Sequence, residues 1–305
     1  MSNTLLGGAI GDALGIFAEG KLLNYPSLIN WDGKTFLGSE YHGLKPGQYS
    51  DDTMFSMCVA QSLINNDGFN PDDLSKRYVE LFTSKTIRGY GKTTLMAISS
   101  LIEGKHWSES GVAGSFGNGT AMRAAPFGVY FRDDLPMVIE VCKVDSAITH
   151  ASEEAEAGSI AIGLSAALAA QNDTENLLDR IHKALPDSKV KSIIYTLGSL
   201  VAANHIPASS ALRVLGTKAD VRQTVPAALY CFLKFDNYNE AVLAAIKAGG
   251  DTDTTAAIVG ALFGAKLGMQ GINPIYYAVE DFDRLVQLDS QLYSRSNGSF
   301  LHTGT

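Results

Sequence analysis

The sequence has few cysteines and no paired ones. Cys58, Cys142 and Cys231 are its three cysteines, and they lie far apart with no CxxC pair among them. Because structural zinc modules and disulfide frameworks need cysteines in close or regular spacing, both are excluded. Cysteines that are few and widely separated are typical of proteins in a reducing compartment.

The sequence also has no apolar run long enough to cross a membrane. The longest apolar stretch, 157–170, falls short of the ~20 residues that a bilayer requires. The N-terminal segment MSNTLLGGAIGDALG has no basic region and carries Asp12 inside its apolar part, which is not the pattern of a secretory signal. We therefore expect a soluble, cytoplasmic protein without a membrane partner.

An excess of positive charge is absent as well. Lysine and arginine total 24 against 32 aspartates and glutamates, so the net charge is −8. A negatively charged chain repels the phosphate backbone of nucleic acids. General DNA or RNA binding is therefore not expected.

Most apolar residues recur with the spacing of a helix, and the alternation of apolar and polar residues that is typical of a strand is almost lacking. Hydrophobic residues make up 46% of the 305 residues, which is ample for a large core. No linker interrupts the chain, so we predict one all-α domain over 1–305. The apolar spacing predicts helices at 4–19, 51–64, 72–82, 93–103, 134–148, 153–170, 177–185, 188–201, 220–234, 238–247, 254–268 and 280–293.

Two acidic clusters stand at the starts of two of these helices. The first contains Ser50, Asp51 and Asp52, and the second is the segment GGDTDT at 249–254. Taken singly, each cluster is typical of helix capping, in which side-chain oxygens accept hydrogen bonds from free backbone N–H groups. Together, four carboxylates with neighbouring hydroxyls form an all-oxygen ligand set that suits Mg²⁺, Mn²⁺ or Ca²⁺. Both interpretations remain open from the spacing.

The N-terminal segment adds two further acids. Asp12 and Glu19 are seven residues apart, which places them on one face of a continuous helix, with Gly15 between them. The glycines Gly8 and Gly11 leave room for a close approach to the backbone. Tight helix packing, with Asp12 hydrogen-bonded and Glu19 at a helix end, explains the same pattern.

Six segments together resemble the ADP-ribosylglycohydrolase family, and they occur in the family's order. SDDT and GGDTDT with GNGTAMR between them are highly specific in combination. The matching strings are GAIGDALGIFAEG (8–20), YSDDTMFS (49–56), RGYGKTT (88–94), FGNGTAMRAAPFG (116–128), ITHASEEAEAG (148–158) and AGGDTDTTAAIVGALFGAKLG (248–268).

The resemblance implies a compact helical bundle with two Mg²⁺ or Mn²⁺ ions in a central cleft. It implies catalytic roles for Glu19, Asp52 and Asp253, with Glu19 beside the metals and the scissile bond. The metal ligands that it implies are Ser50, Asp51, Asp52, Asp251, Asp253 and Thr254.

A further group of positions is expected to contact the substrate. Gly117 and Gly119 flank Asn118 before an expected helix start, where free backbone N–H groups hold a diphosphate. His150 matches a family position near the substrate, and Asp12 and Tyr90 complete the set. Arg123 is expected to form a structural ion pair instead.

The resemblance implies a metal-dependent hydrolase that releases ADP-ribose from a modified protein or small molecule. Two alternatives stay open: a non-catalytic ADP-ribose-binding or structural protein on the same scaffold, and a metal-dependent phosphoesterase. The acceptor is not identified. Relatives that act on ADP-ribosyl-arginine carry an acid in the segment that matches 86–94, and no carboxylate occurs there in this chain.

Overall fold

The computed structural model describes residues 1–21, 28, 30–295 and 299–300, and helices account for most of this part of the chain. Residues Ile16–Ala18, Gly268–Gly271 and Pro274–Tyr276 form 3₁₀ turns, and β1 (Gly68–Phe69) pairs in parallel with β2 (Ser299–Phe300). The helices are α1 (Thr4–Gly15), α2 (Asp51–Asn66), α3 (Pro71–Thr83), α4 (Lys92–Ile102), α5 (Trp107–Ser110), α6 (Ala125–Tyr130), α7 (Leu135–Thr149), α8 (Glu153–Ala170), α9 (Leu177–Ala184), α10 (Lys189–Ala202), α11 (Ala208–Leu215), α12 (Val221–Lys234), α13 (Tyr238–Lys247), α14 (Thr252–Leu267) and α15 (Phe282–Ser294).

The prediction of a mostly helical fold is confirmed, and each predicted helix overlaps an observed one. Three short helices, α5, α6 and α11, were not predicted, because each is too short to show a full apolar period. The first helix is shorter than predicted and ends at Gly15. No helix in the described part of the chain combines the length and the apolar character needed to cross a membrane.

Helices α1 and α14 pack against each other more closely than side chains would allow. A Cβ atom on Gly7 would lie 2.2 Å from the backbone oxygen of Gly260, and one on Gly11 would lie 2.1 Å from that of Ala256. Glycine in a helix costs about 1 kcal/mol relative to alanine, so this pattern calls for a packing reason, and the close contact supplies it. The contact brings the N-terminal segment against the start of α14.

We expect Gly11→Ala to destabilise the fold strongly, because the added methyl group meets backbone that cannot rotate away. Overpacking of this kind costs about 1–3 kcal/mol or more. Gly8→Ala is the matched control, since its Cβ would make an ordinary contact at 3.5 Å with Ala257 and Ala261. Chemical denaturation of both variants checks this, and equal free energies of unfolding for the two would contradict the packing argument.

A buried carboxylate from α15 fixes the N-terminal end of α1. Asp289 accepts hydrogen bonds from the backbone N–H groups of Leu5 (2.9 Å) and Leu6 (3.0 Å), which are among the unpaired donors of a helix start. Burial raises the pKa of Asp289 to about 7. Helix α1 is thus held at its start by α15 and along its length by α14.

Candidate active site

The two acidic helix starts meet in the folded chain. Helix α2 begins at Asp51 and helix α14 at Thr252, and the hydroxyl of Thr254 donates a 3.3 Å hydrogen bond to a carboxylate oxygen of Asp52. Asp253 belongs to two groups of three carboxylates, with their oxygens within 4.8 Å of one another. The groups are Asp12, Asp52 and Asp253, and Glu19, Asp251 and Asp253.

The capping interpretation explains one of these helix starts but not the other. Ser50 is a capping residue, because its hydroxyl accepts from the backbone N–H of Asp52 and also donates to the Asp52 carboxylate at 3.0 Å. Asp251 occupies the equivalent position before α14 and makes no capping hydrogen bond. Capping therefore leaves the acids of the second cluster unexplained.

Two carboxylate oxygens at this meeting point are buried without a hydrogen-bond partner. They are the Oδ1 atoms of Asp52 and Asp253, whose residues are 2% and 5% exposed. Burial and then the neighbouring carboxylates raise the pKa of both side chains well above the usual range. A buried, unpaired carboxylate is costly, and a hard divalent cation relieves that cost. The donor set therefore fits a metal ion.

Asp12 lies beneath this cluster and is already hydrogen-bonded. Its carboxylate accepts from the backbone N–H of Ser50 (2.9 Å) and from the backbone N–H (3.1 Å) and hydroxyl (2.6 Å) of Thr53. Burial raises its pKa to about 6, although these hydrogen bonds oppose the rise. Asp12 does not line the cavity described below, so its contacts orient the first turn of α2.

Glu19 reaches the same region from an extended segment. The prediction that Asp12 and Glu19 share a helix face is wrong, because α1 ends at Gly15 and Glu19 has extended backbone angles after a 3₁₀ turn. Its carboxylate contacts Nε2 of His42, which comes from the turn between Ser39 and Leu44. Burial raises the pKa of Glu19, and the contact with His42 opposes that rise.

A cavity of about 240 Å³ opens over the acidic cluster. Ten of the residues predicted from the sequence line it: Glu19, Asp51, Asp52, Gly117, Asn118, Gly119, His150, Asp251, Asp253 and Thr254. Ser50, Asp12 and Tyr90 do not. The ring of Tyr90 packs edge-on against Phe82 instead, and the residue is 40% exposed. Seven further lining residues are not among the predicted site residues: Gly89, Gly91, Lys92, Thr93, Thr94, Met122 and Ala219.

The glycine segment forms one wall of the cavity by packing against His150. A Cβ on Gly117 would lie 2.9 Å from Nε2 of His150, and one on Gly119 would lie 2.8 Å from its Cε1. Burial and the nearby Arg123 lower the pKa of His150 to about 3, so the ring is neutral. The expected helix start directly after the glycines is wrong, since turns follow them and α6 begins only at Ala125.

Asn118 joins this wall to the acidic cluster. Its side-chain amide donates hydrogen bonds to Oδ2 of Asp251 (2.5 Å) and to the hydroxyl of Thr224 (2.9 Å). The glycine pattern predicts a substrate-binding role for Asn118 and gives no sign of this contact, which spans 133 positions of the chain. The side chain of Asn118 thus positions a carboxylate of the candidate metal site.

Arg123 forms the structural ion pair that the sequence predicts. Its Nε donates to Asp145 at 2.9 Å with both side chains fully buried, and its Nη1 donates to the backbone oxygen of Gly119 at 3.1 Å. The hydroxyl of Tyr78 donates to the same aspartate at 2.8 Å. This network fixes the glycine wall from behind, away from the cavity.

Comparisons with known proteins agree with this geometry. The family model described as ADP-ribosylglycohydrolase matches residues 2–300. An uncharacterized protein of Archaeoglobus fulgidus is 30% identical over 95% of each chain. The ADP-ribosylhydrolase ARH3 of Gallus gallus is 25% identical over 95% of this chain and 91% of its own length. A solved structure titled "ADP-ribosylglycohydrolase-related protein complex" superposes with a TM-score of 0.80 at 25% identity, covering 96% of both chains.

Proposed function

The chain belongs to the ADP-ribosylglycohydrolase family, and on that premise we propose that it hydrolyses the bond joining ADP-ribose to an acceptor. Water adds to the anomeric carbon of the ribose, the bond to the acceptor oxygen or nitrogen breaks, and a proton passes to the acceptor. The observation that carries this proposal is the buried, unpartnered oxygen on each of Asp52 and Asp253, two residues at different helix starts whose carboxylates offer oxygens within 4.8 Å of each other. We also propose that 1–305 is a single domain of this type, supported by the family match over residues 2–300.

We propose that two Mg²⁺ or Mn²⁺ ions are held by the two acidic clusters. Asp51, Asp52, Asp251, Asp253 and Thr254 would supply their oxygens, since all five line the cavity. Ser50 would act through its hydrogen bond to Asp52. When bound, the ions would supply a water of lowered pKa and a charge that orients the ribose hydroxyls.

Glu19 is the residue that we propose to hold the moving proton. Glu19 lines the cavity beside the acidic cluster, and burial raises its pKa, which favours the protonated form that a general acid needs. Glycoside hydrolysis proceeds through an oxocarbenium-like transition state, which a nearby carboxylate stabilises. His42 contacts one Glu19 oxygen, and Glu19 also lines the cavity.

The glycine wall is proposed to hold the ADP portion of the substrate. Gly117 and Gly119 expose backbone where a diphosphate can approach, and the neutral ring of His150 adds no charge of its own there. The contact between Asn118 and Asp251 would couple this wall to the metal ligands.

A panel of defined ADP-ribosylated substrates tests the proposal. Serine-, arginine- and nucleobase-linked conjugates and O-acetyl-ADP-ribose are incubated with Mg²⁺, with Mn²⁺ and with a chelator, and the products are identified by mass. We expect free ADP-ribose to appear only with a metal. Release of phosphate would identify a phosphoesterase, and tight ADP-ribose binding without cleavage of any conjugate would identify a binding protein.

A further inference from the structure

A second cavity, of about 500 Å³, adjoins the first at Glu19. The two cavities share Glu19, Ala219 and Asp251 as lining residues. The glycine wall and the first acidic cluster line only the first cavity. Glu19 and Asp251 therefore stand between two spaces, one of which is assigned above to the ADP portion.

The second cavity is bordered by positive charge. Lys21, Arg213 and Lys218 line it, whereas its lining carboxylates are only the two that it shares with the first cavity. Arg213 and Lys218 are exposed, and Nζ of Lys21 lies 5.1 Å from the ring centre of Phe17. Three cationic side chains against two carboxylates give this lining a positive balance, although the net charge of the chain is −8.

The backbone around this cavity is tied directly to the acidic cluster. The N–H of Gly20 donates to the oxygen of Gly250 (2.8 Å), and the N–H of Asp251 donates to that of Thr217 (2.6 Å). Gly250 has a φ of 82°, and a Cβ there would lie 2.2 Å from the oxygen of Thr217. The cavity floor and a candidate metal ligand are therefore parts of one rigid backbone unit.

We infer that this second cavity receives the acceptor portion of the substrate and selects acidic peptides, an inference that rests on the proposed function. The glycine wall, assigned above to the ADP portion, does not line this cavity, whereas Glu19 does, so the cavity offers the acceptor a space beside the proposed proton-carrying group that the ADP portion leaves free. Carboxylates flanking the modified residue would pair with Arg213 and Lys218, while Leu212 and Ala248 accommodate apolar parts of the peptide. A continuous nucleic-acid backbone fits less well, because the overall charge of the chain repels it.

The test compares two ADP-ribosylated peptides that share the linkage cleaved in the panel and differ only in acidic or neutral flanking residues. The wild-type protein should show a higher kcat/KM for the acidic peptide. The double variant Arg213→Glu, Lys218→Glu should reduce the acidic-to-neutral ratio of kcat/KM by about tenfold or more, since a charge reversal turns attraction into repulsion. The milder Arg213→Gln, Lys218→Gln variant should give an intermediate ratio. The double variant Lys85→Glu, Lys105→Glu reverses two exposed lysines outside both cavities and so controls for the same change in net charge.

Three results would overturn this inference while leaving the proposed function intact. The first is an acidic-to-neutral ratio of kcat/KM that is the same in wild type and double variant. The second is a loss of affinity for free ADP-ribose in the double variant. The third is a short oligonucleotide that binds better than the acidic peptide and requires Arg213 and Lys218 to do so. The second result would assign the cavity to the ADP portion. If no conjugate is cleaved at all, the proposed function fails, and calorimetric binding of the two peptides with wild type and double variant still decides the charge preference.

Discussion

Asp253→Asn should nearly abolish both metal binding and turnover while leaving the fold intact. Asp253 is the only residue common to the two carboxylate groups found among the described residues, so its loss affects both ion positions. Changing even an outer partner of a metal ligand typically costs 10–100-fold in affinity, so losing a shared ligand should cost at least about 100-fold. Calorimetric titration of Mn²⁺ into wild type and variant measures this directly.

In the metal-free protein, Asp253→Asn should leave the stability of the fold unchanged or increase it. Burial and the carboxylates of Asp251, Glu19 and Asp52 all raise the pKa of Asp253, which means that its charged form is disfavoured in the folded state. A neutral amide removes that repulsion, so the thermal midpoint in chelator should be unchanged or higher. Adding Mn²⁺ should then raise the midpoint of the wild type only.

Asp187→Asn is the matched control for this experiment. The Asp187 side chain is fully exposed and pairs with Lys191 in the first turn of helix α10, so the same chemical change there should alter neither metal affinity nor turnover. Wild-type Mn²⁺ affinity in Asp253→Asn would remove this residue from the metal site.

The features that can be predicted from the sequence are those marked by residues close to them along the chain. Acidic residues before an apolar period mark the starts of α2 and α14, and both helices begin there. Tight helix packing, one of the two interpretations of the N-terminal glycines, is confirmed by the close contact of Gly11 with the backbone of Ala256. Each of these signals lies within a few residues of the feature that it predicts.

The features that escaped prediction depend on contacts between loops. His42 follows no periodic pattern, and its contact with Glu19 is set by the turn between Ser39 and Leu44. The second cavity is bordered by backbone hydrogen bonds from Gly20 to Gly250 and from Asp251 to Thr217, and no side-chain pattern encodes these bonds. The end of α1 was misplaced for a related reason: the apolar period continues through Ile16–Ala18, while the backbone tightens into a 3₁₀ turn.

Glu19→Gln should lower kcat by about 10²–10⁴-fold, the usual contribution of a general acid or base. The amide keeps the shape of the side chain and can still hydrogen-bond His42, but it cannot exchange a proton at neutral pH. Because Glu19 lies beyond the end of α1 and its side chain is one-third exposed, the substitution removes no packing and no helix cap. Affinity for free ADP-ribose and the thermal midpoint should therefore change little.

Turnover, ADP-ribose affinity and thermal midpoint are best measured on one preparation, with Glu40→Gln as the control. Glu40 is exposed, belongs to the same turn as His42 and lines neither cavity, so its substitution repeats the loss of charge near the cleft without touching the proposed proton path. A fall in kcat that occurs in Glu19→Gln but not in Glu40→Gln would support the role of the Glu19 carboxylate as the general acid or base. Near-normal kcat in that variant, or an equal fall in Glu40→Gln, would reduce Glu19 to a residue that only orders the loop around His42.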